Sequence, residues 1–445
     1  MILVLIDKQF YMKLLTTLLT FLWISFGCAQ NQTWSLEDCI QYAIQNNISI
    51  QQNALNIEVR DQNMKAAKGQ FLPNVSASAS HSLGFGDRFP FNNKTIQNTN
   101  LGVSATQTIF NGFQNTLAYK QAKLNIEVAQ LELARIKDDV SLNVVNNYLN
   151  VLLAQENVKI AKAQVHFSTK QVKLLANQVK LGARAQADLL DVEATLANDE
   201  QRLINAENTL IVAQLSLTQL LQIPSGTIQI KPIDQLKSQT LLPKDSETIY
   251  KQALALRNEI KLAKKNVEVS EKSIEIAKSA YLPTVSATYS ANTGIGFTPN
   301  FNDPSFLNQL NNQKNHSLGI SIRIPIFNQN INKTNTEISK ITKKQVDYTL
   351  SQEKLDLRQN IERSFTDVIN AQKSLEASEK LLKAQQFSFD NAQKQLELGA
   401  INVFDLEQIR NRYINAKLTL NNNTFDFIFK TKILEFYGGQ SLWEK

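Results

Sequence analysis

From Phe113 to Leu181 the chain contains neither glycine nor proline, and from Ala183 to Ile223 it again contains neither, so Gly182 stands alone between two very long helical stretches. Glycine takes the left-handed cap conformation without steric cost, and Asp188 then falls in the first turn of the next helix, where the macrodipole favours an anion. Leu181-Gly182-Ala183 is therefore read as the elbow of a hairpin. At about 1.5 Å per residue the longer arm spans roughly 100 Å, which no compact domain requires.

The elbow recurs as Leu398-Gly399-Ala400, with Asp405 in the place of Asp188; Gly182 to Gly399 and Asp188 to Asp405 are both 217 positions. Val158, Val165, Val172 and Val179 recur every seven residues, and 217 positions later stand Leu375, Leu382, Phe389 and Leu396. A sustained seven-residue apolar spacing is the coiled-coil signal, here duplicated in phase. Leu72-Pro73-Asn74-Val75-Ser76-Ala77 matches Leu282-Pro283-Thr284-Val285-Ser286-Ala287 at an offset of 210, whereas Leu101-Gly102 and Phe110-Asn111 match Leu318-Gly319 and Phe327-Asn328 at 217. The chain is a tandem duplication whose second copy carries seven extra residues between its two short strands, where a loop absorbs them.

Two repeats follow from this register: 30–240, with strands at 74–83 and 100–110, a hairpin at 113–223 and a linker at 224–243; and 241–445, with strands at 284–292 and 317–327, a hairpin at 330–437 and a C-terminal tail. Residues 1–29 read as an export signal, with Lys13, an apolar run from Leu14 to Phe26, and Gly27-Cys28-Ala29 before Gln30. Met12 gives a more ordinary signal length than Met1. The alternative reading of Cys28, as a lipidation cysteine, meets poor matches at Ser25 and Phe26.

The helices carry a second apolar row, Ile160, Phe167, Leu174 and Leu181, two positions on and about 200° around the axis from the valines. Two rows serve two neighbours, as in the wall of a closed tube; the alternative is a helix buried on both sides in a bundle. In the strands, Ser76, Ser78 and Ser80 face one way while Val75, Ala77 and Ala79 face the other, and Ser321 and Arg323 oppose Ile320, Ile322 and Ile324. Such alternation over nine to eleven residues suits a tilted transmembrane strand with lipid outside and water inside, which makes Ser76, Ser78, Ser80, Ser321 and Arg323 pore-lining candidates. A soluble amphipathic sheet packed on helices is the rival, weakened by Phe85, Phe89 and Phe91 and by Phe297, Phe301 and Phe306, which cluster where an interfacial aromatic belt belongs. Four strands cannot close a barrel, and an open edge in lipid is not tolerated, so the chain is expected to oligomerise, three copies giving twelve strands. The fold class expected is mainly α, a duplicated long-helix coiled-coil α-barrel with four transmembrane strands per chain.

The net charge of +7 is spread through helices where both signs interleave, without a concentrated basic block, which argues against nucleic acid. His81, His166 and His316 are not at ligand spacing, and no phosphate loop, nucleophile elbow or cysteine cluster is present, so neither an enzyme nor a cofactor or metal is expected. After the signal only Cys39 remains, so there is no disulfide framework.

The order of these features resembles the TolC family of trimeric outer-membrane efflux ducts over essentially the whole mature chain. The shared features are the duplicated order of elements, the FLPNVS and YLPTVS strand starts, the TIFNG and IPIFN strand ends, and the LGA elbows followed six residues later by aspartate. The resemblance implies a twelve-stranded barrel in the outer membrane, a periplasmic helical tube with an equatorial belt, and a tapered tip. That tip would dock a periplasmic adaptor linked to an inner-membrane pump, through elbows that here are Leu181, Gly182, Ala183, Leu398, Gly399 and Ala400. It also implies a carboxylate ring at the tip, carried by Asp405 and its counterpart Asp188, with Asp191 as an i, i+3 partner; the plainer role of these aspartates is to complement helix N-termini. The sequence departs from the family pattern at Gln408, where a second carboxylate is expected, and at Ile401, where a basic residue is expected. The function implied is a passive conduit for efflux or type I secretion. The alternative is a periplasmic coiled-coil adaptor or structural protein of an envelope complex, although adaptors carry one hairpin flanked by glycine-rich β domains.

Overall fold

A computed structural model describes residues 33–88, 93–224, 228–232, 245–297 and 303–439. The expected signal at 1–29, most of the 224–243 linker, and Phe89, Phe91 and Phe301 lie outside the described residues.

Each repeat begins with a short helix and a longer one. Ser35 caps α1 (Leu36–Asn46) through a reciprocal capping box with Asp38, and Asn47 both ends α1 and caps α2 (Ile48–Gly69). The second copy repeats the lengths of 11 and 22 residues in α5 (Ser246–Leu256) and α6 (Asn258–Ser279), with Arg257 at the break. The long arms α3 (Gln114–Lys180) and α8 (Ile331–Glu397) each have 67 residues; their return arms are α4 (Gln186–Leu221) and α9 (Val403–Tyr437). Between strand and long helix the backbone makes two consecutive left-handed residues: Gly112 and Phe113 in the first copy, Gln329 and Asn330 in the second.

The strands β2 (Asn74–Arg88), β3 (Asn93–Asn111), β5 (Thr284–Phe297) and β6 (Asn315–Arg323) form one antiparallel sheet in the order β2-β3-β5-β6. Its register, Ser76↔Ser104↔Ser290↔Ser317 and Ala77↔Val103↔Ala291↔His316, gives the sheet two contrasting faces, because directly paired residues share a face. The strand limits differ from those read in the sequence, and β5 runs on to Phe297 rather than ending at 292 because it stays paired with β3 as far as Gln97. The first hairpin reaches Arg88 and restarts at Asn93 rather than stopping at 83 and resuming at 100, because Gly84 still pairs with Ile96 and the ladder resumes at Arg88↔Asn93 after a register shift beyond Phe85. At the other edge β6 covers Asn315–Arg323, not 317–327: Pro325 has no N–H for a ladder, and the chain leaves the sheet before it. The insertion of the second copy folds as α7 (Phe306–Asn312), whose buried Gln309 accepts from the Gly296 N–H at 2.8 Å and donates to the Pro304 carbonyl at 2.8 Å.

At mid-length the helices converge on two equivalent cores. Val140, Val144 and Val151 of α3 are buried against α1 and α4, and Leu357, Ile361 and Val368, each 217 positions on, are buried against α5, α6 and α9. A short parallel pair, β1 (Thr33–Trp34) with β4 (Gln229–Ile230), closes the first core, and the Tyr148 hydroxyl donates to the carbonyls of Trp34 at 3.1 Å and Lys231 at 2.6 Å. Burial in this core pushes the Cys39 thiol up to about 12, so it packs as a small apolar group. Beside the second core, buried Arg257 bonds to Asp138 at 3.3 Å and lies 3.6 Å from the Phe436 ring centroid, tying the end of α9 to α3. Burial pushes the Asp138 carboxyl up, against the opposing pull of Arg257. Among the described residues, no helix is long and apolar enough to cross a membrane.

Candidate functional site

Two surfaces can serve a conduit, the sheet and the far end of the hairpins. On one face of the sheet the serines at 76, 104, 290 and 317 form a rung across all four strands, with Ser76 and Ser104 hydroxyls 3.0 Å apart and Ser290 and Ser317 hydroxyls 2.7 Å apart. Ser78, Ser80, Ser321 and Arg323, singled out in the sequence, share that face by register. Along the β3–β5 seam, Asn292 pairs with Gly102, Asn100 with Gly294 and Asn98 with Gly296. A β-carbon on Gly102 would fall 2.3 Å from the Asn292 carboxamide oxygen, so this carboxamide occupies room that its glycine partner leaves; the corresponding distances are 3.2 Å at Gly294 and 3.5 Å at Gly296. The opposite face carries Leu318, Ile320 and Ile322, which are 79%, 69% and 64% exposed, with Val75 and Val103.

At the far end, Gly182 and Gly399 both adopt φ +73°, and each closes its helix with the same bond pair. Ala183 N–H donates to the Gln178 carbonyl and Gly182 N–H to that of Val179; Ala400 and Gly399 donate likewise to Gln395 and Leu396. All six elbow residues are exposed, Leu181 and Leu398 at 83% and 85%. The second apolar row thus begins buried at Ile160 and ends bare at Leu181.

Behind the elbows, Leu175, Leu189, Val192 and Val403 form a small buried cluster flanked by Val179 and Leu396, which joins the two hairpins. The three aspartates are not ion-paired or hydrogen-bonded to one another. Asp188, in the first turn of α4, lies 4.0 Å from Arg184 of the same hairpin; Asp191 is exposed one turn on. Asp405 is exposed in the first turn of α9, where the Asn402 side chain accepts from its N–H at 2.8 Å. The Asp191 and Asp405 carboxylates make no ion pair among the described residues.

A second polar group near the tip escaped the sequence reading. Arg410 of α9 and Asp199 of α4, with side chains 3% and 2% exposed, are bonded at 2.5 Å; Arg410 also donates to the Ser168 hydroxyl at 3.0 Å, the Gln164 carbonyl at 3.3 Å and Glu407 at 2.9 Å. The Ser168 hydroxyl in turn donates to Asp199. The signal was present but weak: each charge stands seven residues after a buried valine, Val192 or Val403, and so on a coiled-coil seam. Among the described residues, no group of three or more His, Cys, Asp or Glu side chains is placed to hold a metal ion.

An amphipathic four-stranded sheet beside paired helices of this length is the fold of outer-membrane channels. The chain belongs to the outer membrane efflux protein family, whose sequence profile matches residues 39–221 and 249–426, one block in each repeat. It is an outer-membrane efflux channel with a periplasmic helical extension, a passive conduit rather than an enzyme, and works in tripartite efflux assemblies. The fold is similar to that of CusC (TM-score 0.80, 17% identity, 94% of this chain and 96% of that one). It is similar also to the Campylobacter jejuni CmeC outer membrane channel (0.74, 16%, 92% and 87%) and to the open state of the Neisseria gonorrhoeae MtrE channel (0.70, 18%, 92% and 89%). No curated protein matches the sequence. Family membership displaces the adaptor alternative.

Proposed function

We propose that three copies of this chain close a twelve-stranded barrel over a continuous helical tube, each contributing the two repeats set out above after removal of the signal behind Ala29. The observation that carries this reading is the sheet, in which β2 and β6 pair on one side only among the described residues while one face is apolar and exposed. Unpaired backbone in a bilayer costs several kcal/mol per group, so edges of this kind are paired by another copy. Exposed apolar residues along the helices, such as Ile204 and Ile211 of α4 and Ile338 and Tyr348 of α8, suit the same closure. Ser76, Ser78, Ser80, Ser321 and Arg323 then line the lumen. The mature protein extracted in detergent from the outer membrane has the native mass of three chains; a clean monomer or dimer refutes the closure.

At the tip, Leu181, Gly182, Ala183, Leu398, Gly399 and Ala400 form the surface that meets a periplasmic adaptor, which couples the duct to an inner-membrane pump. Their exposure and the repetition of one geometry at both elbows support this. Asp405, with Asp188 and Asp191 around it, forms an acidic constriction that concentrates cations. The Asp405 side chain is exposed and makes no ion pair among the described residues, which supports this reading. In planar bilayers Asp405→Ala lowers the preference of the trimer for cations, most at low salt, where screening is weakest. Unchanged ion selectivity at low salt removes the ring.

A further inference from the structure

We infer that one copy of this chain joins the next through an apolar counterpart of the polar seam between its own two repeats, with α8 of one copy seated on α2 of the next. The inference rests on the trimeric reading and names the side chains that make its helical contact. Within the chain, α3 of the first repeat packs on α6 of the second, and polar ties hold them together. The Gln121 carboxamide donates to the Ser273 hydroxyl at 2.7 Å and to the Val269 carbonyl at 3.2 Å. Lys265 meets Glu127 at 3.0 Å, and Arg257 meets Asp138 at 3.3 Å. These contacts follow one another along the two helices, so the chain's own seam is polar over much of its length.

The duplication gives each of these positions a counterpart, 217 residues on from α3 to α8 and 210 residues back from α6 to α2. The register carries over without a gap, because α3 and α8 both have 67 residues and α2 and α6 both have 22. Gln121 becomes Ile338, Asp138 becomes Leu355, Lys265 becomes Leu55, and Val269 becomes Val59. Between Ile338 and Leu355 stand Ile341 and Tyr348, whose counterparts Leu124 and Leu131 are half-buried in the first repeat. All six side chains of α8 and α2 are more than half exposed. Ile341, Tyr348 and Leu355 are spaced by seven, the mark of a helical seam, here without a partner. A polar seam whose donors and acceptors are satisfied closes within one chain, whereas an apolar stripe leaves water only by association, and obligate interfaces are the more apolar ones. Because α8 and α2 are different surfaces the contact runs head to tail, and repeated it closes a ring. The two seams also exclude each other: α3 set against the next copy's α2 would leave Glu127 opposite Leu55, with no cation to meet it.

The test is cross-linking of the full-length protein purified in detergent, with a short bis-maleimide as the probe. The double variant Ile338→Cys, Val59→Cys should run on a denaturing gel as a ladder of two and three chains. The matching internal pair, Gln121→Cys with Val269→Cys, should stay at the mass of one chain under the same treatment. A second variant, Ile338→Gln with Leu355→Asp, introduces the residues of the internal seam and should lower the fraction with the native mass of three chains several-fold. Should that variant fail to accumulate, the cross-linking pair decides alone, since it leaves the rest of the stripe in place. A native mass of three chains without a cross-link between chains overturns the seam and leaves the trimer standing. An unchanged three-chain fraction in the polar variant overturns the apolar character of the contact. A wild-type protein with the native mass of one or two chains refutes the trimeric reading itself.

Discussion

Ile320→Arg removes the protein from the outer membrane, whereas Ser78→Arg leaves it there. Ile320 is 69% exposed on the apolar face, one ladder step from Leu318 and Ile322. Arginine at the middle of the lipid face of a barrel costs about 2–4 kcal/mol, and the three copies of the proposed trimer bring the cost to roughly 6–12 kcal/mol. That is comparable with the whole stability of an ordinary domain, about 5–15 kcal/mol. Ser78 lies opposite Gly102 on the hydroxyl-rich face, where a charged side chain projects away from lipid and finds water. The measurement is the amount of assembled protein in the outer-membrane fraction for each variant. Equal loss of both variants contradicts the assignment of the two faces, and equal survival contradicts burial of the apolar face in lipid.

Gly112→Ala destabilises the joint between sheet and tube by several kcal/mol, whereas Gly182→Ala costs only about 1–2 kcal/mol for its left-handed backbone. Both glycines have positive φ, +65° and +73°. Only Gly112 is crowded: an added β-carbon would lie 2.5 Å from the Ser279 carbonyl oxygen and 2.7 Å from the Leu282 β-carbon. Ser279 ends α6 and Leu282 leads into β5, so the clash is with backbone held by two elements and cannot be relieved by rotating a side chain. At Gly182 nothing lies within 4 Å. Thermal melting of the assembled protein should fall sharply for Gly112→Ala and slightly for Gly182→Ala. Similar melting of the two variants would show that the α6 turn yields and that the crowding carries no cost.

The large architecture was legible because it depends on punctuation. A 67-residue helix needs an interval without glycine or proline, an elbow needs a residue that accepts the left-handed cap, and both signals appear twice in register. The two faces of the sheet were legible because alternation survives whatever the strand pairs with. The strand limits were not, since pairing continues past Gly84 and Gly86 once a neighbouring backbone is in reach, and since β6 stops ahead of Pro325 instead of beside it. Nor was α7 legible, because seven helical residues are too few to show a period. The Arg410–Asp199 contact shows the deeper limit. Both residues belong to helices in which charges of each sign alternate throughout, and only the relative rotation of α3, α4 and α9 decides which charges turn inward.

The pairing of carboxamides with glycines along β3 and β5 bears on what it is like for cargo to travel through such a barrel. The Asn292 side chain lies in the space of the one Gly102 lacks, and Asn100 and Asn98 lie against Gly294 and Gly296, so this face is smoother than two ordinary strands would make it. It offers hydrogen bonds that are numerous, weak and interchangeable, and between Asn98 and Thr106 of β3 it carries no fixed charge. If this face lines the proposed lumen, solutes of either sign meet no fixed charge on that stretch. A lining of this kind works by low friction: it leaves the choice of passenger to the other end of the tube and lets whatever has been admitted leave.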